Sequence, residues 1–241
     1  MNRPEMILFD YGQTLVDEAP FCGVNGTRAV MRHAVRNKYG RTPEEVQAEA
    51  NRLIQELEAQ YSLLERPNAA FQNYLYTSQG IALSTSPEEN EQIFWDAAAP
   101  GKAAPEIAPL LEELHQRRIR TGVLSNLSFS GGALRSRIDR LLPGHHFEFI
   151  LASSDYLFRK PSRRFFELAL ELADLEPSQV WFCGNDVRCD IQGAQQAGLT
   201  AVWYTGCMDR RPDPPDGAFF EIGGWSELPG LLDRACFKME F

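Results

Sequence analysis

A short apolar strand that ends on a carboxylate is the feature of this sequence that most constrains its fold. Residues 6–9 (Met-Ile-Leu-Phe) are followed directly by Asp10, and then by Gly12 and Thr14. A fully apolar run of this length is typical of a strand buried on both faces, as in parallel sheets. Open α/β sheets bind ligands at the carboxyl ends of such strands, which makes Asp10 a candidate functional residue. An aspartate that merely caps the next element gives the same pattern, and this structural interpretation stays open here.

Strand and helix patterns alternate in the second half of the chain. Apolar runs predict strands at 120–124, 147–152, 180–183, 200–204 and 218–222, and helical periodicity predicts helices at 109–117, 133–142, 163–173, 189–197 and 226–232. Such alternation implies parallel strands joined by helical crossovers. The sequence therefore predicts an α/β fold, a Rossmann-like parallel sheet with helices on both faces.

A helical segment is inserted between the first strand and this alternating region. Helices are predicted over 27–39, 43–64, 68–79 and 86–98, and a small, Pro- and Gly-rich stretch follows at 97–105. Because the first strand precedes the helical block, that block interrupts the α/β domain rather than extending it. We expect residues 1–16 and 101–241 to form the core domain and residues 17–100 to form a separate helical domain.

Charge and cysteine content limit the partners and the compartment. The 241 residues carry a formal net charge of −9, which argues against nucleic acid or an anionic membrane surface as a partner. The 5 cysteines form no C-x-x-C pair, a pattern that favours free thiols in a reducing cytoplasm. No apolar run approaches the ~18 residues of a membrane helix, and the first strand leaves no room for a signal peptide. We predict a cytoplasmic protein of undetermined oligomeric state.

Polar side chains also follow the other predicted strands of the sheet. They are Ser125 and Asn126, Lys160 within Arg159-Lys160-Pro161, and Asp186 and Asp190 after Gly184. Each group alone has an ordinary structural explanation, as a turn, a solvated cation or a helix N-terminus. In a parallel sheet, however, all of them would meet Asp10 at one edge, and that coincidence favours a functional site.

The combination of these groups suits phosphoryl transfer. A carboxylate such as Asp10 can attack phosphorus and form an aspartyl-phosphate, which divides one difficult hydrolysis into two steps. The acidic residues can bind Mg²⁺, a cation that prefers oxygen ligands. An ammonium and a hydroxyl, from Lys160 and Ser125, can neutralise and orient the phosphoryl oxygens.

These residues resemble the motifs of the haloacid dehalogenase-like (HAD) hydrolase superfamily over essentially the whole chain. The D-x-D-x-T motif of the family is matched in its first Asp and its Thr by Asp10-Tyr11-Gly12-Gln13-Thr14, and its strand-ending Ser or Thr is matched by Ser125. Its lysine motif resembles Arg159-Lys160-Pro161, and its acidic motif resembles Gly184-Asn185-Asp186 with Asp190. The resemblance implies a HAD-like core with an inserted α-helical cap at residues 17–100. It also implies a Mg²⁺-dependent hydrolase, a phosphatase acting on a small phosphorylated metabolite.

The resemblance implies a role for each motif residue. Asp10 would be the nucleophile, and Lys160 would both assist catalysis and bind phosphate together with Thr14, Ser125 and Asn126. Mg²⁺ would lie between Asp10, the backbone carbonyl of Gly12 and an acidic residue of the last motif. Asp186 is the first candidate for that ligand and Asp190 is its rival.

Gly12 departs from the family pattern, because the family's phosphatases carry a general acid and base at this position. Such a group typically contributes ~10²–10⁴-fold to the rate, so its loss bears directly on activity. Asp17, Glu18 or His33 could replace it, whereas the neighbouring Gln13 is neither an acid nor a base.

Two alternatives to a phosphatase therefore stay open. One is a phosphate- or metabolite-binding protein on the same fold with impaired catalysis. The other is a hydrolase of phosphonatase or dehalogenase type. The phosphonatases of the family use a cap lysine, here Lys38, and its dehalogenases typically carry tyrosine at the position of Gly12.

Overall fold

The computed structural model of the chain describes residues 3–58, 64–208 and 210–236. Its strands are β1 (Met6–Phe9), β2 (Val16–Glu18), β3 (Ala34–Asn37), β4 (Ile81–Leu83), β5 (Gly101–Ala103), β6 (Arg120–Ser125), β7 (Phe147–Ala152), β8 (Val180–Gly184), β9 (Thr200–Tyr204) and β10 (Phe219–Ile222). Its α-helices are α1 (Gly23–Met31), α2 (Pro43–Glu58), α3 (Asn68–Ser78), α4 (Pro87–Ala98), α5 (Ile107–Gln116), α6 (Gly131–Leu141), α7 (Ser153–Tyr156), α8 (Arg163–Ala173), α9 (Gly193–Gln196) and α10 (Leu228–Cys236). Within the described residues, no helix is both long and apolar enough to cross a lipid bilayer.

The main sheet is parallel and places β1 near its centre. Within the described part of the chain its 6 strands lie in the order β10-β9-β8-β1-β6-β7. Strand β1 pairs in parallel with β6 on one side and with β8 on the other. All four of its side chains are fully buried, which explains the unbroken apolar run. The α/β fold with a parallel sheet is therefore confirmed.

Helices cover both faces of this sheet because successive residues of a strand point to opposite faces. Ile7 and Phe9 of β1 pack into one apolar cluster, which includes side chains of α5, α6 and α10. Met6 and Leu8 pack into a second cluster, which includes side chains of α8 and α9. The two clusters hold β1 rigidly, and with it the backbone that carries Asp10.

The inserted segment contains a two-stranded antiparallel sheet that the sequence did not predict. The helix predicted over 27–39 is wrong beyond Met31, because Ala34–Asn37 form β3 and pair antiparallel with β4. Gly80, at φ +68°, makes the turn into β4 in a conformation that disfavours other residues. Helix α2 ends at Glu58 in the structure, and residues 59–63 of the predicted longer helix lie outside the described residues.

A two-stranded ribbon connects the inserted segment to the sheet domain. Strand β2 leads into the segment and β5 leads out of it, and the two pair antiparallel with Glu18 opposite Gly101. The segment has its own apolar cluster, which includes Val30, Val46 and Leu75. The domain boundaries themselves, at 16/17 and 100/101, stay a prediction.

Candidate active site

Asp10 lies at the carboxyl end of the central strand, between the ends of the two neighbouring strands. Its backbone N–H donates to the carbonyl of Cys183 in β8 at 2.9 Å. The hydroxyl of Ser125, the last residue of β6, donates to Asp10 Oδ1 at 3.4 Å. Both side chains are buried. The parallel register of the sheet thus brings these two predicted residues together.

Lys160 reaches the same point from the segment before α8. Its Nζ lies 2.7 Å from Asp10 Oδ1 and 2.7 Å from Asp190 Oδ1, and only 1 % of the side chain is exposed. Burial favours the neutral amine, but the two carboxylates outweigh it, so the pKa of Lys160 is raised. The side chain is therefore held as a buried ammonium ion against the proposed nucleophile.

Asn126 fixes the backbone of Lys160. The Asn126 side chain donates from Nδ2 to the Lys160 carbonyl at 2.8 Å and accepts at Oδ1 from the Lys160 N–H at 2.7 Å. This two-point contact joins the end of β6 to the lysine segment. Asn126 therefore positions Lys160, and its predicted direct contact with phosphate stays a prediction.

The acidic residues after β8 occupy different places in the site. Asp190 is buried against Lys160, and its Oδ2 accepts from the backbone N–H of Asp186 at 2.9 Å. Burial raises the pKa of Asp190 against the opposing effect of Lys160, and the neighbouring Asp10 adds to the rise. Asp186 begins the following helical turns (Val187–Gln192), and its Oδ1 accepts from the N–H of Cys189 at 2.6 Å.

Thr14 is fully buried at the other side of this loop. Its hydroxyl donates to Asn185 Oδ1 at 3.3 Å, and its carbonyl accepts from the Trp225 indole at 3.3 Å. These contacts join the loop after β1 to the loop after β8. The predicted contact of Thr14 with phosphate stays a prediction.

The oxygen donors at this edge fit a Mg²⁺ ion better than a metal held entirely by protein. Among the described residues, no three His, Cys, Asp or Glu side chains are grouped closely enough to form such a cage. Mg²⁺ usually keeps several waters and is bound by one or two carboxylates together with substrate phosphate. Asp10, the Gly12 carbonyl and Asp186 supply a donor set of this kind, and Asp190 already uses both oxygens within the protein.

Arg137 is a residue of the site region that sequence reasoning missed. Its guanidinium is buried, although it lies on α6 in the same apolar stripe as Ala133, Leu134 and Ile138. It donates to the Tyr11 hydroxyl at 2.7 Å and to Glu18 Oε1 at 3.3 Å, and it also bonds to Asp96 and to the Ala99 carbonyl. An arginine on the apolar stripe of a helix is the sequence signal that could have revealed this buried network.

The candidate acid and base residues lie in very different surroundings, and so does Lys38, the lysine of the phosphonatase alternative. His33 and Lys38 are exposed at the two ends of β3, and the Lys38 ammonium lies 4.9 Å from the centre of the Tyr39 ring. Lys38 thus follows a strand, and its expected position at a helix end is wrong. The Gln13 amide donates to the Glu18 carbonyl at 2.8 Å. Burial raises the pKa of Glu18, against the opposing effect of Arg137.

A cavity of about 500 Å³ lies beside Asp186. Its lining includes Gln13 and Asn185 from the two joined loops, and the side chains of Arg188 and Arg210. Two guanidinium groups near the carboxyl edge of the sheet favour an anionic occupant.

Comparison with known proteins agrees with this architecture. The family model for haloacid dehalogenase-like hydrolases matches residues 4–198. A glyceraldehyde 3-phosphate phosphatase of Pyrococcus furiosus is 24 % identical over 218 residues, covering 85 % of this chain and 82 % of that protein. A phosphoserine phosphatase of Thermus thermophilus is 29 % identical over 119 residues, 47 % of this chain and 44 % of that protein.

A 2-haloacid dehalogenase of Pseudomonas syringae pv. Tomato is similar in structure. It superposes with a TM-score of 0.69 at 25 % identity, and the match covers 97 % of this chain and 99 % of the dehalogenase. Phosphatases and a dehalogenase thus share this fold. Matches to the first curated relatives span less than two thirds of those proteins, between 37 and 59 % of their length.

Proposed function

Because this chain belongs to the haloacid dehalogenase-like hydrolases, we propose that it is a Mg²⁺-dependent phosphatase acting on a small phosphorylated metabolite. The observation that carries the proposal is the contact of Asp10 with both Lys160 and Ser125 at the carboxyl edge of the sheet. A carboxylate held at this point by a cation and a hydroxyl suits attack on phosphorus. A protein that only binds phosphate has little need of a nucleophile placed in this way.

In the proposed reaction Asp10 attacks the phosphorus atom and displaces the alcohol, and water then hydrolyses the aspartyl-phosphate. Lys160 and Ser125 contact the phosphoryl oxygens and stabilise the charge that develops there. Asp10, the Gly12 carbonyl and Asp186 are the proposed metal ligands, with Asp190 as the rival to Asp186. Bound Mg²⁺ supplies further positive charge to the phosphoryl group.

The substrate is proposed to be a small anion on two grounds. The cavity beside Asp186 is small, at about 500 Å³, and Arg188 and Arg210 line it. Similar proteins include phosphatases named for glyceraldehyde 3-phosphate and for phosphoserine, which are small phosphorylated metabolites.

A dehalogenase is the second candidate function. The observation that favours it is the similarity to the 2-haloacid dehalogenase. The lack of an acid at Gly12 is compatible with it, because a halide needs no proton, although the tyrosine typical of the family's dehalogenases is also missing there. In that reaction Asp10 would attack the carbon that bears the halogen, and halide would leave without a proton. The two functions differ in the released ion, so one panel separates them.

The test is release of inorganic phosphate from phosphorylated metabolites and acyl phosphates, and of halide from 2-haloacids, with and without Mg²⁺. Phosphate release that requires Mg²⁺ and is lost in Asp10→Asn is the expected result. The exposed carboxylate Asp233 gives the matched control Asp233→Asn, which should behave as the wild type. Halide release alone would support the dehalogenase, and no release from a folded protein would support a binding role.

A further inference from the structure

Glu18 lies at the junction of the connecting ribbon, the sheet domain and the inserted segment. It is the last residue of β2, and its side chain is 17 % exposed. Oxygen Oε1 accepts from three donors: Trp95 Nε1 of α4 at 3.1 Å, Arg137 Nη2 of α6 at 3.3 Å and the Tyr11 hydroxyl at 3.4 Å. Donors from three parts of the fold therefore hold this carboxyl group in one orientation.

The other oxygen of Glu18 points toward Gly12. Oε2 lies 3.3 Å from the position that a Cβ atom on residue 12 would occupy. Among the described residues no hydrogen bond to Oε2 is found, and the ion pair with Arg137 is made through Oε1. The Glu18 carboxyl group thus reaches, from a strand six residues later, the space that a side chain at position 12 would enter.

We propose that Glu18 is the general acid and base of this hydrolase, with Oε2 as the atom that carries the proton. The proposal rests on the phosphatase function proposed above. The lack of a side chain at Gly12 leaves room for the Glu18 carboxyl group, because a side chain at position 12 would enter the same space.

Glu18 gives up one proton in the first step of the proposed reaction and takes one back in the second. As Asp10 bonds to phosphorus and the bond from phosphorus to the leaving oxygen breaks, the Glu18 carboxylic acid gives its proton to that oxygen. The resulting Glu18 carboxylate then takes a proton from water, whose oxygen attacks phosphorus while the bond to Asp10 breaks. Phosphate leaves, Asp10 is again a carboxylate and Glu18 is again protonated.

Asp17 provides a matched control on the same strand. Adjacent residues of a strand point to opposite faces, and the Asp17 side chain faces outward, where it pairs with Lys102 at 3.3 Å and is 36 % exposed. The acidic residues of β2 therefore differ in environment, and we expect only Glu18 to contact the leaving group.

The test compares an alkyl phosphate, whose alkoxide needs a proton to leave, with p-nitrophenyl phosphate, whose phenolate leaves without one. Glu18→Gln keeps the shape of the side chain but cannot deliver the proton. We expect its kcat/KM, which reports the first step, to fall by about 10²–10⁴-fold on the alkyl ester and far less on the aryl ester. Its kcat can fall on both esters, because Glu18 is also the base for hydrolysis of the common aspartyl-phosphate. Asp17→Asn should match the wild type on both esters.

A second variant tests whether position 12 and Glu18 are interchangeable. In Glu18→Ala/Gly12→Asp, the space vacated by the glutamate admits an aspartate, and activity on the alkyl ester should recover relative to Glu18→Ala alone. Equal losses of kcat/KM on both esters in Glu18→Gln, or no recovery in the folded double variant, would overturn the proposal. If the wild type releases no phosphate from either ester in an Asp10-dependent way, the phosphatase function fails first, and this role fails with it.

Discussion

Replacing Lys160 by methionine tests whether one buried cation holds the site together. The substitution leaves an apolar side chain of similar shape but removes the charge between Asp10 and Asp190. At an effective dielectric constant of ~20, each pair at 2.7 Å is attracted by about 6 kcal/mol before desolvation is counted. Desolvation offsets much of this attraction, and breaking a buried pair by removing one partner typically costs about 3–5 kcal/mol. We expect a loss of that size in the free energy of unfolding at neutral pH.

The loss should depend on pH and on Mg²⁺. Burial already raises the pKa of Asp190, and loss of the ammonium ion removes the charge that opposes this shift. A raised pKa in the folded state means that stability is present at low pH and is lost as pH rises through that value. The variant should therefore lose more stability at pH 8 than at pH 5. A Mg²⁺ concentration 100 times the dissociation constant should raise the free energy of unfolding by about 2.7 kcal/mol.

Urea unfolding followed by tryptophan fluorescence measures these differences, with Lys102→Met as the matched control. Lys102 is 76 % exposed, and Asp17 is its one ion-pair partner among the described residues, so its replacement should leave the free energy of unfolding nearly unchanged. A loss below about 1 kcal/mol for Lys160→Met at pH 8 without Mg²⁺ would refute the reasoning. It would mean that the carboxyl groups separate or take up protons at little cost.

Two further substitutions test local features of the fold. In Gly184→Ala the new Cβ would collide with Asp190 Oδ2, so phosphate release should fall at least about tenfold and the free energy of unfolding by about 1–3 kcal/mol. Gly230→Ala, with open space around the new Cβ, should change neither. Unchanged activity in Gly184→Ala would show that Asp190 needs no fixed position. Ser86→Ala removes the side chain that accepts from the Glu89 N–H at 3.2 Å and caps α4, and it should lower the free energy of unfolding by about 1 kcal/mol in the same urea assay.

The sheet could be predicted from the sequence because its strands are local signals. Strand β1 is buried on both faces and shows an unbroken apolar run, and β6 and β8 end on the polar residues that mark the site. The parallel order then places those ends at one edge, which is why Asp10, Ser125 and Lys160 could be grouped before the structure was known.

The antiparallel pairing of β3 with β4 in the inserted segment could not be predicted in this way. Residues 34–37 follow a helix and continue its pattern acceptably, but they pair with Ile81–Leu83, more than forty residues later. Such a pairing leaves no periodic signal in either strand alone. The same limit applies to Tyr74, whose helical spacing with Phe71 and Leu75 suggests a core position. Its side chain is 60 % exposed, because the surface that α3 packs against cannot be read from the sequence.

The surroundings of Glu18 were also beyond the sequence. Asp17 and Glu18 were equal candidates as long as the face of β2 was undefined. Pairing with β5 fixes that face, and Arg137 and Trp95, from distant parts of the chain, then select Glu18 as the inward carboxyl group. Nothing near residue 18 in the sequence identifies either partner.

The ribbon of β2 and β5 also bears on how this protein can be modified. Since Val16 pairs with Ala103, the chain leaves and re-enters the sheet domain one strand spacing apart, about 4.8 Å. To the sheet domain, everything between those strands is equivalent to the loop of a hairpin, and the entropy of closing a loop grows only slowly with its length. The ribbon itself therefore sets little entropic limit on the size of the segment between its strands. The cost of exchanging that segment would come instead from its contacts with the sheet domain, above all those of Trp95 and Asp96 with the buried Arg137.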